Sequence, residues 1–314
     1  MEGHISDIAE LNDIIRRGGF SRQVLTDETR HSERIVRIAE RIAAKVPATR
    51  LVLVSGPSSA GKTTTALRLC IRLRENGLSA MHMSTDDYFV GDARNPRDEN
   101  GELDYETVEC IDIPRLDDDM ARLVRGEPVC LRRFNFAKHD GFDETNPTTL
   151  PPGGIVILEG LHALNPLLAT NFPKESKFGL FIEPITQPVV FATTPLRPTE
   201  ARLLRRIVRD NRYRKMSPAD TFRMWPKVIA GEKKWILPFR GLADAEFDSG
   251  LVYELTVLKP FVAGLLQKYL IQTPGNILAH TLLEILESVR ETDPTKVPGD
   301  SILRETIGGS QLEY

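Results

Sequence analysis

Apolar positions along the chain switch between helical spacing and short continuous runs. Between 29 and 46, Ile35, Ile38, Ala39, Ile42 and Ala43 recur at helical spacing and Pro47 follows, which predicts an N-terminal helical segment. Leu51-Val52-Leu53-Val54 is then a continuous apolar run, the pattern of a strand buried on both faces of a parallel sheet. It leads into a glycine-rich turn. Beyond that turn Ala66, Leu69, Cys70 and Leu73 share one helical face, and Gly77 stands where a C-cap glycine belongs. Residues 79–83 predict a second strand, ending at Ser84-Thr85-Asp86-Asp87 and lying beside the first. Ile155-Val156-Ile157-Leu158 predicts another, ending at Glu159-Gly160, and 178–182 a weaker fourth. Strands that alternate with helices and end in polar residues or glycine predict an α/β fold with a parallel sheet, its active edge at the C-terminal ends of the strands.

Residues 91–104 and 137–154 are polar and turn-rich and read as surface excursions from the sheet. Residues 251–290 read as two helices, and 291–314 as an irregular tail. The expected organisation is an N-terminal helical segment (1–48), a core (49–250), and C-terminal helices and tail packed on that core (251–314). At 41% hydrophobic and 27% charged, 314 residues are enough for one large core or two small ones. No stretch is long and apolar enough to span a bilayer, and Met1-Glu2-Gly3-His4 does not open a secretion signal. Cys70, Cys110 and Cys130 have no C-x-x-C spacing, which argues against a disulfide framework or cysteine zinc site and fits a cytoplasmic location. A net charge of −3 argues against a surface built wholly for nucleic acid.

The turn after the first strand reads Gly56-Pro57-Ser58-Ser59-Ala60-Gly61-Lys62-Thr63, which satisfies G-x-x-x-x-G-K-[ST] between a predicted strand and a predicted helix. Glycine is needed so that the loop can bend and aim successive backbone N–H groups at phosphates. Lys62 supplies a point charge for the β- and γ-phosphates, Thr63 a hydroxyl for Mg²⁺, and the following helix its positive end. Gly56, Ser58, Ser59, Ala60, Gly61, Lys62, Thr63 and Thr64 are therefore the expected ATP-binding set, on a P-loop NTPase-type sheet flanked by helices with helical additions at both ends.

The chain has no N-K-x-D segment for guanine and no L-S-G-G-Q-like signature, which leaves small-molecule kinases and assorted ATPases. Asp86, at the end of the second strand, is the expected base for an attacking hydroxyl, with Asp87 competing for the role. Glu159 closes an apolar strand and is expected to serve Mg²⁺ or the acceptor, or to begin the next helix. Arg202, Arg205, Arg206 and Arg209 fall at i, i+3, i+4 and i+7, so one helical face is almost wholly arginine. Such a face could close over ATP as a lid around 197–215, extended by Arg212 and Arg214. A solvated basic face and a contact for nucleic-acid phosphates are the other readings; with no aromatic among these arginines before Tyr213, nucleic acid is not the expected partner.

These residues resemble the uridine kinase and phosphoribulokinase family, and within it a uridine-kinase-like branch that often carries a threonyl-tRNA-synthetase-like N-terminal region. The resemblance runs through GPSSAGKTT at 56–64, STDDYF at 84–89, DYETVECID at 104–112, RFNF at 133–136, ILEGLHALNP at 157–166, RLLRRIVRD at 202–210, MWPKVIAGEKKWILPF at 224–239 and SILRETIGGS at 301–310. About fifty residues precede the core strand, so the synthetase-like region is not expected in this chain. The resemblance implies that Asp86 is the catalytic aspartate, with Lys62, Arg202 and Arg206 beside it. It implies that Tyr88, Glu106, Phe134, His139, Glu159, Arg205 and Arg209 meet the acceptor or close over it, and that Thr63 and Glu159 serve the metal. Tyr88-Phe89 reverses the family's Phe-Tyr order, Glu106 replaces an aspartate, and Phe134 stands where well-defined uridine kinases carry tyrosine. The implied protein is a kinase using ATP and Mg²⁺ on a small-molecule acceptor, a uridine- or cytidine-like nucleoside. A phosphoribulokinase-like sugar-phosphate kinase and a nucleotide-gated, RNA-associated regulatory module are the rivals, and a homo-oligomer is open.

Overall fold

A computed structural model describes residues 7–136, 138–190 and 194–313; Met1–His4, read above, lie outside them. Its elements in chain order are α1 (Ile8–Arg16), α2 (Phe20–Ala43), β1 (Leu51–Ser55), α3 (Lys62–Glu75), β2 (Ala80–Ser84), α4 (Ile113–Val124), β3 (Arg132–Asn135), β4 (Asp140–Asp143) and β5 (Ile155–Glu159). They continue with β6 (Lys177–Glu183), β7 (Val189–Val190), β8 (Thr194–Pro195), α5 (Pro198–Tyr213), α6 (Pro218–Trp235), β9 (Ala245–Asp248), α7 (Glu254–Gln272), α8 (Ile277–Ser288) and α9 (Arg304–Ile307).

Five strands form one parallel sheet in the order β2-β5-β1-β6-β9. The alternation within β1 explains its unbroken apolar sequence. Val52 and Val54 face α2 and α3 in a core with Ile38, Ile42, Leu69 and Leu73, whereas Leu51 and Leu53 face α4 with Leu116, Met120 and Leu123. The second strand is not beside the first, as the sequence reading has it: β5 lies between them, pairing Val54 with Glu159 on one side and Ser84 with Glu159 on the other. This insertion brings the ends of three strands to one edge.

Three further features depart from the sequence reading. A fifth strand, β9, extends the sheet beyond β6. The polar excursion at 137–154 includes β4, which pairs antiparallel with β3 in a hairpin outside the main sheet. The irregular tail contains a short helix, α9, whose neighbours Ile302, Leu303 and Ile307 are at most 4% exposed. A second apolar core joins α5, α6, α7 and α8 through Leu204, Ile207, Val228, Val257, Leu258, Leu282 and Leu286. Among the described residues no helix is long and apolar enough to cross a membrane.

Candidate active site

The phosphate loop bends because two of its glycines hold backbone that other residues resist. Gly56 has φ +155° and a Cβ there would overlap the Ile182 carbonyl; Gly61 has φ +90° at the N-cap of α3. Ser59 shares the left-handed region at φ +59°. Lys62, first residue of α3, curls back to donate to the Pro57 carbonyl at 3.1 Å. Desolvation lowers the pKa of its ammonium, and the carboxylates of Glu159 and Asp86 oppose that shift.

At the end of β5, Glu159 accepts from Ser84 Oγ at 2.8 Å and from Thr63 Oγ1 at 3.3 Å. Burial, with Asp86 as a like charge nearby, pushes its carboxyl up to about 7, against the pull of Lys62. A hydroxyl and a carboxylate in contact beside the phosphate loop are the hard oxygen donors that suit Mg²⁺. Asp86 stands on a one-turn 3-10 helix after β2, capped by Ser84 Oγ, which accepts from the Asp86 amide. It faces a cavity of about 320 Å³ together with Ser58, Ser59, Gly61, Lys62, Thr63 and Glu159. The adjacent Asp87 is turned away, accepting from Arg133 at 2.9 Å and from the Phe134 amide at 3.4 Å.

The far end of the same cavity is aromatic. Phe89 meets Phe134 edge to face at 5.5 Å and Phe134 meets Phe136 at 5.2 Å, with Tyr105, His139 and Glu106 also lining the space. His139 sits just before β4 at φ +53°, its Nδ1 3.3 Å from Asp92. Burial pushes the Glu106 carboxyl up to about 6, although Arg206 draws it down, and its Oε2 has no hydrogen-bond partner.

Several expected residues stand elsewhere. The four arginines do not form one face toward the nucleotide, nor a solvated basic face: Arg202 and Arg205 are each 1% exposed. Arg202 is paired with Glu232 and also donates to the Ser58 carbonyl at 3.0 Å; Arg205 is paired with Glu254 at 2.5 and 2.6 Å. Neither lines the main cavity; Arg202 is placed as a buried tie on the loop. Arg206 and Arg209 do line it, joined by Arg214. These three share one carboxylate, Asp210, and Arg206 also donates to Ser58 Oγ at 2.9 Å. Burial, then the charge of Arg209, lowers Arg214 to about 10. Tyr88 is 1% exposed with its hydroxyl donating to Asp119, and it does not line the cavity. The Ser58 amide is given to Glu232 at 3.2 Å rather than left open to a phosphate. Gly56, Ala60 and Thr64 are buried behind the loop surface.

Glu305, Phe89, Phe136, Tyr105 and Met224 line the cavity without having been picked out from sequence as site residues. All five lie in segments that resemble the family, but nothing in their type or spacing marks them as facing a cavity.

The family model described as Phosphoribulokinase / Uridine kinase family matches residues 51–252. A uridine kinase of Lactobacillus helveticus is 28% identical over 114 residues, covering 36% of this chain and 53% of that protein, so the chain spans about half the length of the first curated relatives. A uridine kinase of Vibrio campbellii is 27% identical over 222 residues, 69% of this chain and 96% of the relative. A solved structure described as a possible uridine kinase from Bacillus stearothermophilus has 21% identity and a TM-score of 0.43, covering 69% of this chain and 98% of that one. With its phosphate loop, strand-end carboxylates and nearly two thirds of its length within the match, the chain belongs to the phosphoribulokinase / uridine kinase family.

Proposed function

We propose that the chain transfers the γ-phosphoryl group of ATP to a hydroxyl of a nucleoside, uridine- or cytidine-like. The observation that carries this reading is the make-up of one cavity: phosphate loop and Asp86 at one end, and Phe89, Phe134, Phe136, His139 and Glu106 at the other. Aromatic edges and faces suit a planar base, and Glu106, a buried carboxylate with a free oxygen, suits ribose hydroxyls.

In this reading the loop from Ser59 to Thr63 seats the polyphosphate and Lys62 neutralises its charge. Asp86 takes the proton of the acceptor hydroxyl as that oxygen attacks in line. Arg206, Arg209 and Arg214 steady charge on the transferring group, which Asp210 alone does not neutralise. Thr63 and Glu159 would hold Mg²⁺, which supplies further charge neutralisation when bound. Residues 49–250 would form the kinase core, and the motifs at 224–239 and 301–310 support the uridine-kinase-like branch. A cytoplasmic enzyme fits the cysteine usage.

Surplus guanidinium at Arg214 favours one rival, an acceptor that itself carries a phosphate. An ADP-release assay with nucleosides and ribulose phosphates separates the two. Response to a nucleoside, abolished in Asp86→Asn while ATP still binds, is the expected result; turnover unchanged in that variant would remove the mechanism.

A further inference from the structure

Thr64 follows the Lys62-Thr63 pair into α3, and its hydroxyl donates to Glu305 Oε2 at 3.2 Å. Thr64 itself is 0% exposed. Glu305 lines the main cavity together with Lys62 and Thr63, the residues expected to serve the β/γ end of a polyphosphate, and its charge bears on the Lys62 ammonium. That end of the cavity, at the positive end of α3, is held by the chain's own carboxylate. Ile302 from the same segment packs on the loop, its Cγ2 2.7 Å from where a Cβ of Gly61 would stand. Glu305 also lines a small second cavity with Ser59, Arg205 and Arg209.

The backbone carrying Glu305 is anchored. Ile302, Leu303 and Ile307 are buried, and the Arg304 guanidinium bonds the carbonyls of Pro298 at 3.2 Å, Gly308 at 3.1 Å, and Pro294 and Val297. Glu305 is only half-buried, so its side chain is the part that can move. We propose that Glu305 is an internal competitor for the phosphate end of the cavity, its carboxylate standing there in the nucleotide-free protein and moving aside when a nucleoside triphosphate seats. This inference rests on the ATP site proposed above. A carboxylate within the polyphosphate's place repels it, so the C-terminal segment sets the affinity for nucleotide without touching the acceptor end.

The test is calorimetry of Mg·ATP on the full chain and on Glu305→Ala and Glu305→Gln, with thermal unfolding alongside. Glu305→Ala is expected to bind about tenfold tighter, the effect of removing one partly screened like charge. The near-isosteric Glu305→Gln keeps the fold and falls between. Unchanged affinity with a lowered Tm would make Glu305 a structural helix cap and overturn the proposal. Weaker binding in either variant would make it a nucleotide ligand and overturn it as well. If the wild type and both variants all ignore ATP, the ATP site itself fails and the proposal falls with it.

Discussion

Arg202 and Glu232 are joined by two hydrogen bonds, 2.6 and 2.8 Å long, between α5 and α6, and both residues are at most 3% exposed. The same Glu232 carboxylate accepts the Ser58 amide, and Arg202 donates to the Ser58 carbonyl. Helices α5 and α6 are thereby tied to the phosphate loop. Replacing Arg202 by methionine strands a buried carboxylate and is expected to cost about 3–5 kcal/mol, whereas the pair Arg202→Met with Glu232→Leu loses less. Urea unfolding of the single and double variants measures this.

Gly160 sets the distance between two strand ends. At φ +159°, a Cβ there would overlap the Thr85 side chain, which precedes Asp86. Gly160→Ala should push the Asp86 turn aside and lower kcat by about a hundredfold, as small misplacements of a reacting group do. ATP affinity by calorimetry should stay near wild type, because the phosphate loop is built on β1.

Glu106 titrates near the working range, with its carboxyl pushed up to about 6. If its ionised form accepts acceptor hydroxyls, protonation removes that capacity. The acceptor KM is then expected to rise by about tenfold per unit below pH 6. Glu106→Gln should raise KM at pH 8 and flatten this dependence, while a profile identical to wild type would assign the carboxylate no contact.

His31, on α2, bonds the Gly250 carbonyl at 3.0 Å and packs edge to face on Phe247, and burial pulls its pKa down to about 3. The fold therefore keeps His31 neutral where the unfolded chain, near 6.5, takes up a proton. Stability from this group is complete above about 6.5 and is lost as pH falls toward 3, at about 1.4 kcal/mol per unit. A His31→Gln variant should show a shallower loss of stability on acidification, read from urea midpoints between pH 7 and 5.

Most of the sheet could be read locally. The strands at 51 and 155 announce themselves because a strand covered on both faces needs an unbroken apolar run, which both have. By contrast β9 is only Ala-Glu-Phe-Asp, with Glu246 exposed, and it is a strand because β6 offers an edge. Within the candidate site, the loop from Gly56 to Thr63 and the strand-end residues Asp86 and Glu159 were legible. Their chemistry is carried by spacing along a few consecutive positions.

The arginine helix shows what could not be read. Four arginines at helical spacing look alike in sequence, but Arg202 and Arg205 are buried against carboxylates 30 and 49 residues away, while Arg206 and Arg209 reach the cavity. Likewise Thr64 meets Glu305 across 241 residues. The amino-acid order alone determined the phosphate loop and the strands that carry it, since backbone conformation and both-face burial depend on near neighbours. Which charges end paired in the interior and which stay free for a ligand was decided by packing of distant segments, because a buried ion is tolerable only where the fold delivers its partner.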